Sequence, residues 1–221
     1  MKTENSELMN RAKQSLQGKW GLAIGTIVVY ILIVVVLSVI VQLIPQPIRI
    51  LGSIGSMFVS APLALGLQMF VLSISRNRDA KLEQLFDGFS RTGVCVGAYL
   101  IRGFYTLLWM LLLIVPGIIA AISYSQTSFI IADDTSIGAA AAVDKSKAMM
   151  EGYKLKYFYL CLRFFGLILL CMLTLGIALL WLYPYMMVTM AKFYDDIKGE
   201  DTQGIPSFGM GKDQPLDAGI V

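Results

Sequence analysis

The 221-residue sequence contains no histidine. That absence excludes a Ser-His-Asp triad, a histidine metal site and a histidine pH switch. Charge is sparse: Asp, Glu, Lys and Arg make up 15% of the chain, against roughly 25% in a typical soluble domain. No run of five like charges occurs, so no nucleic-acid arm is indicated and nucleic acid is not an expected partner. Cysteine is scarce too. Cys95, Cys161 and Cys171 are an odd number without a CxxC pattern, which reads as reduced packing residues rather than a disulfide frame or a redox or metal centre. There is no P-loop, and no cofactor is expected.

What is present is apolar: 57% of residues are hydrophobic and the mean hydropathy is +0.70. This excludes disorder and an ordinary soluble enzyme, and indicates an integral membrane protein. Trp20–Ile44 carries no formal charge. Its 25 residues reach about 37 Å as a helix, enough for a hydrocarbon core of roughly 30 Å. The run is too long for a signal-peptide core and no A-x-A-like site follows, so it is expected to remain as a first span. Valine and isoleucine dominate it, but in lipid only a helix satisfies its own backbone.

Five further spans are predicted: Ile48–Ile74, Val94–Val115, Ile118–Ala132, Tyr157–Leu175 and Ile177–Tyr194. Breaks fall at Pro45 and Pro47, Pro116-Gly117 and Gly176, and Pro62 and Pro184 are expected to kink their helices. Residues 103–132 fit two spans better than one tilted helix. With two spans all 18 Lys and Arg except Arg49 lie on one side, as the positive-inside rule prefers. The expected fold class is therefore all-α: a polytopic membrane protein of six transmembrane helices in three hairpins, with short interfacial amphipathic helices. Residues 1–19 form a cytoplasmic amphipathic segment with Leu8, Ala12 and Leu16 on one face. Residues 20–197 form the membrane domain, and 198–221, rich in Gly, Pro and acidic residues, a disordered cytoplasmic tail. Both termini are expected in the cytoplasm.

Two polar segments join the hairpins. Residues 75–93 carry a stripe of Leu82, Leu85, Phe86 and Phe89. Residues 133–156 fit a helix with Ala139, Val143 and Met150 on one face and Thr135 or Ser136 as N-cap. A glycine precedes each hairpin: Gly18, Gly88 and Gly152, 70 and 64 residues apart. Glycine there can adopt φ > 0 and turn the chain from lying on the membrane to crossing it. The threefold pattern fits either a bundle built around a central site or duplication that yields only a stable bundle. Parallel repeats of this kind weigh against an alternating-access carrier.

Candidate site residues follow from polarity inside spans. Ser123, Tyr124, Ser125, Gln126, Thr127 and Ser128 must face other helices or a wet cavity, as interhelical glue or as the lining of a groove. Tyr185, beside Pro184, is placed with them. Arg102 and Arg163 lie in matching places on spans three and five, where they snorkel or hold anionic headgroups. Asp133-Asp134 and Asp195-Asp196 mark span ends. They read as solvated, although paired carboxylates also suit a divalent cation or acid–base work. Aspartates at a helix C-terminus oppose the macrodipole, and Lys192 and Lys198 are the expected compensation.

The run Pro116-Gly117-Ile118-Ile119, with Tyr124, Phe129, Ser146, Lys147, Met149-Met150, Gly152, Gly176-Ile177, Pro184-Tyr185 and Phe193-Tyr194, resembles domain of unknown function family 975. This is a family of uncharacterised multi-pass bacterial membrane proteins. The resemblance covers residues 5–197 and is clearest over 110–197. It departs at Phe164-Phe165-Gly166-Leu167, where a tryptophan near 167 would be expected. The family is related in general design to the membrane domain fused to some glycerophosphodiester phosphodiesterases. The resemblance implies a bacterial plasma-membrane protein and supplies no catalytic residues. The leading functional expectation is non-enzymatic: binding of a lipid or hydrophobic molecule, or of a partner membrane protein, in a groove near spans four and six. A transporter or permease subunit is the alternative. An intramembrane enzyme is disfavoured by the lack of histidine, paired cysteines and a mid-membrane carboxylate. Expected partners are membrane lipids, with another membrane protein or a cytoplasmic protein as a further candidate.

Overall fold

The computed structural model describes residues 3–173 and 176–204. Ten α-helices and one 3-10 turn, with no strand, make up the described residues. The helices are α1 Asn5–Leu16, α2 Trp20–Leu43, α3 Arg49–Ser75, α4 Gln84–Asp87, α5 Thr92–Leu112, α6 Ile114–Ser123, α7 Thr127–Asp133, α8 Ala139–Met149, α9 Lys154–Met172 and α10 Leu179–Gly204. A 3-10 turn, Gly88–Arg91, joins α4 to α5. Leu175, the last residue of the fifth expected span, and residues 205–221 lie outside the described residues.

Five stretches are long and apolar enough to cross a membrane: Trp20–Leu43, Arg49–Ser75, Gln84–Leu111, Val115–Asp133 and Lys154–Met172. α10 is not one of them. Its apolar half, Leu179–Ala191, is followed by Lys192, Asp195, Asp196 and Lys198. Thirteen residues give about 20 Å of helix, so a crossing of the roughly 30 Å core would need the flanking residues as well. α10 also runs past residue 198, so the expected tail begins inside a helix.

α3 is the central helix, touching α1, α2, α4, α5, α7 and α10. α2, α5 and α9 pack around the periphery and keep outer faces bare: Val35, Leu107 and Leu162 are all exposed. On a soluble protein such faces would aggregate; on a membrane helix they meet acyl chains. The core gathers at the bundle end where α1, α8 and the last turns of α3, α7 and α10 meet. Leu8, Leu16, Phe70, Ile130, Phe193 and Tyr194 are buried there. The apolar face expected on α1 is the one it buries.

The glycine bends are not equivalent. Gly18 and Gly152 have φ of +74° and +80°, and Gly176 before α10 has +81°. Gly88 has φ −61°, so its expected left-handed turn does not occur. Space is the reason for its glycine. A Cβ there would overlap the Pro62 carbonyl oxygen and lie 2.9 Å from Pro62 C and 2.8 Å from Gly66 N. A Cβ on Gly66 would in turn lie 2.5 Å from Leu85 C and 2.8 Å from Gln84 O. The two glycines let α4 and its 3-10 turn lie backbone to backbone on α3. Of the expected stripe only Leu85 is buried; Leu82, Phe86 and Phe89 face outward, because a one-turn helix presents a single residue to α3.

The chain breaks after α5 at Leu113, which is extended (φ −163°, ψ 144°). Pro116 sits in the first turn of α6, where its missing N–H removes no helical bond. Gly117 then packs on Met110, with a Cβ position 2.9 Å from Met110 Cα, so α6 folds back on α5. The expected fourth span is interrupted: α6 ends at Ser123, and Tyr124–Gln126 turn the chain into α7. The N-cap of α8 is Gly138 rather than Thr135 or Ser136. The Asp134 carboxylate instead accepts from the Ser136 N–H (2.9 Å) and hydroxyl (2.6 Å), an Asx turn. These bonds hold its pKa below the ordinary carboxylate value.

Candidate functional site

Two polar features stand out against this apolar frame. The first closes the bundle end. Arg76 caps the C-terminus of α3 and reaches two other helices. Its Nη1 pairs with Asp133 at the end of α7. Its Nη2 and Nε donate to Asp195 Oδ1 of α10 at 2.8 and 3.1 Å. The Tyr194 hydroxyl donates to Asp133 Oδ2 at 3.0 Å, and the Lys198 ammonium pairs with the same oxygen. The Ser75 hydroxyl donates to Asp195 at 3.2 Å, and Lys192 donates to the Ser75 carbonyl. Lys156 at the start of α9 pairs with Asp196 at 2.6 Å, and the Thr3 hydroxyl also donates to Asp196. The hydrogen bond to the Asp133 carboxylate, with Asp195 beside it, holds the Arg76 pKa above its ordinary value.

Asp133, Asp195 and Asp196 are therefore not the solvated ends expected from sequence. They are half-buried and their lone pairs face arginine, lysine and hydroxyl donors. No group of three or more Asp, Glu, His or Cys able to hold a metal occurs among the described residues. Asp195 and Asp196 also precede the end of α10 by two turns, so the expected clash with the macrodipole's last turn does not arise. Lys198 reaches across to Asp133 of α7. Arg91 completes the closure by donating to the carbonyls of Ile131 (3.0 Å) and Asp134 (2.8 Å) and to that of Ile137, a cation at the C-terminus of α7.

The second feature is a cavity of about 480 Å³ between α2, α3, α5 and α7. α3 lines it with Ser53, Ser56 and Ser60, which share one helix face with Met57, Ala61 and Ala64 at i, i+3, i+4 spacing. α7 contributes Thr127 and Ser128, α2 Tyr30, and α5 Cys95, Ala98, Tyr99 and Arg102.

Arg102 is ten residues from each end of α5, about 15 Å in either direction. That is midway along the helix, which begins at Thr92 and ends at Leu112. The guanidinium lies 5.8 Å from the Tyr99 ring centroid. No carboxylate pairs with it among the described residues. A charge at mid-helix depth costs about 2.5–3.5 kcal/mol on insertion scales. An aromatic face returns roughly 0.5–2 kcal/mol of that.

The sequence-predicted residues divide between several environments. Thr127 and Ser128 line the cavity. Ser123 and Gln126 face α8: the Ser146 hydroxyl donates to the Ser123 carbonyl (2.8 Å) and accepts from the Gln126 N–H (3.2 Å). The Ser123 hydroxyl bonds back to Ile119 O at 2.8 Å. The Ser125 hydroxyl accepts from Gln126 Nε2 at 3.0 Å, and Gln126 Oε1 is buried without a partner. Tyr124 packs against Tyr105, with ring centroids 6.2 Å apart. Tyr185 of α10 stands edge-on to Phe164 of α9 at 6.0 Å and takes no part in the cavity.

Arg163 is exposed on α9, beside Lys156, Tyr159 and residues 3–6 of the N-terminal segment. Like Arg102 it lies midway along its helix, nine residues from each end of α9, but it does not line the cavity. Sequence reading missed Tyr30 and the serine face of α3. The i, i+3, i+7 spacing of Ser53, Ser56 and Ser60 was the available signal, but Gly52, Gly55 and Gly66 on the same helix point as readily to packing. No curated protein and no solved structure matches the chain. A family model described as protein of unknown function (DUF975) matches residues 1–123 and 109–201. The chain belongs to that family.

Proposed function

We propose that this is a non-enzymatic integral membrane protein that binds a lipid or other hydrophobic molecule in the cavity between α2, α3, α5 and α7. The observation that carries the reading is the cavity itself: apolar walls, a few hydroxyls and one cation, in the size range of pockets that enclose small molecules. The chain crosses a bacterial plasma membrane six times as three hairpins, with both termini in the cytoplasm. Lys156 at the start of α9 meets Asp196 of α10, which supports α10 running back beside α9 as the sixth crossing. Lys192 then snorkels to the Ser75 carbonyl.

Native mass spectrometry of the full chain, extracted gently from its own membrane, tests this. A defined hydrophobic mass on the wild type, lost when Ala64→Phe fills the cavity, is expected. An unliganded wild type would overturn the reading. A transporter subunit is the second reading, favoured by the hydroxyls that run along α3 from Ser53 to Ser60. It requires water in the cavity, so a water-soluble maleimide would label Cys95 in membranes.

A further inference from the structure

Arg102 is the charged residue of the cavity lining, and a purely hydrophobic ligand leaves it unanswered. Its guanidinium lines the cavity at mid-helix depth. The cation is over an aromatic ring and has no carboxylate partner among the described residues. The arginines that serve structure in this bundle are engaged differently. Arg76 is bound by two aspartates, and Arg91 donates to three carbonyls. The same lining supplies hydroxyls at Ser60, Tyr99 and Ser128, groups that donate to an anion and carry no charge to repel it. The rest of the wall is apolar: Met57, Ala61, Ala64, Leu65, Ala98 and Ile131. A fork of guanidinium donors matches the two oxygens of a carboxylate or phosphate. A volume of about 480 Å³ has room for about one acyl chain.

We infer that the cavity takes an anionic single-chain amphiphile, with its carboxylate or phosphate on Arg102 and its chain along the apolar walls. This rests on the cavity-binding reading above and names the ligand class. Fatty acids and lysophospholipids share that chemistry.

The test is binding by the delipidated full chain in neutral detergent at pH 8, with palmitate, lysophosphatidate and hexadecanol as probes. Wild type should bind at least one anion about tenfold or more tighter than hexadecanol, the scale of a charge-assisted hydrogen bond. R102Q should bring the anions to within about threefold of hexadecanol, and R102K should keep part of the preference. The better of the two anions assigns carboxylate or phosphate. Equal binding of all three probes to wild type, or a preference that survives in R102Q, would overturn the ligand class and leave the cavity reading intact. Failure of all three probes to bind would overturn both. If R102Q does not survive extraction, the wild-type comparison and R102K decide the question.

Discussion

Replacing Gly88 with alanine probes a backbone-to-backbone contact between the 3-10 turn and α3. The added Cβ would lie 2.9 Å from Pro62 C and 2.8 Å from Gly66 N, and would overlap the Pro62 carbonyl oxygen. Carbon–carbon contacts are comfortable at about 3.5–4.0 Å, so clearing Pro62 C alone moves the 3-10 turn away from α3 by roughly 0.6–1 Å, and clearing the overlapped carbonyl oxygen moves it further. The obstructing atoms are backbone and cannot rotate away. A gap of that width forfeits about a quarter to a half of each contact's dispersion energy. Leu85, fully buried beside the turn, would lose part of its packing. Overpacking of this kind costs about 1–3 kcal/mol, and the rigid obstruction places Gly88→Ala at the upper end. Gly66→Ala, which meets the Leu85 and Gln84 carbonyl groups from the other side, should cost a similar amount. Gly93→Ala is the control. It lies on the next helix with nothing within 4 Å of its Cβ position, so it should be neutral or stabilising by up to about 1 kcal/mol. The assay is thermal or SDS-driven unfolding of the purified chain in micelles. Equal stability of Gly88→Ala and Gly93→Ala would refute the close-approach argument.

The closure around Arg76 yields a graded set of variants. Arg76→Gln should destabilise by about 1–3 kcal/mol, below the 3–5 of a fully buried pair, because the site is partly exposed and Asp133 keeps Lys198 and Tyr194. Asp195→Asn should cost less, since Arg76 keeps Asp133; a larger loss for Asp195→Asn in the same unfolding assay would contradict this ordering. Gly152→Ala and Gly18→Ala should each cost about 1–2 kcal/mol through their left-handed backbone alone, and asparagine at either position should recover part of the loss. Cys95 lines the cavity, so a small membrane-permeant thiol reagent should modify it more slowly once palmitate is bound. An unchanged rate would place the ligand elsewhere.

Much of the molecule is legible from sequence because it depends on neighbours in the chain. Chain-long hydropathy marks the apolar helices. Local backbone chemistry marks Gly18, Gly152 and Gly176 as turns, and the breaks near Pro45 and Pro116. The period of Leu8, Ala12 and Leu16 identifies the face that α1 buries. The membrane removes alternatives, since a backbone in lipid must bond to itself. That is why a valine-rich run such as α2 reads correctly as helix.

What remained hidden is what helices do to one another. Nothing local distinguishes Gly88, needed for space, from Gly152, needed for φ. Asp133 and Asp195 look like solvated ends until α3 and α10 bring Arg76 and Lys198 to them from distant parts of the chain. Arg102 looks like a snorkelling residue until four helices leave a cavity around it. Helical periodicity tells which residues share a face, but which faces meet, and what they enclose, depends on side-chain volumes and charges far apart in sequence; only the assembled bundle decides that.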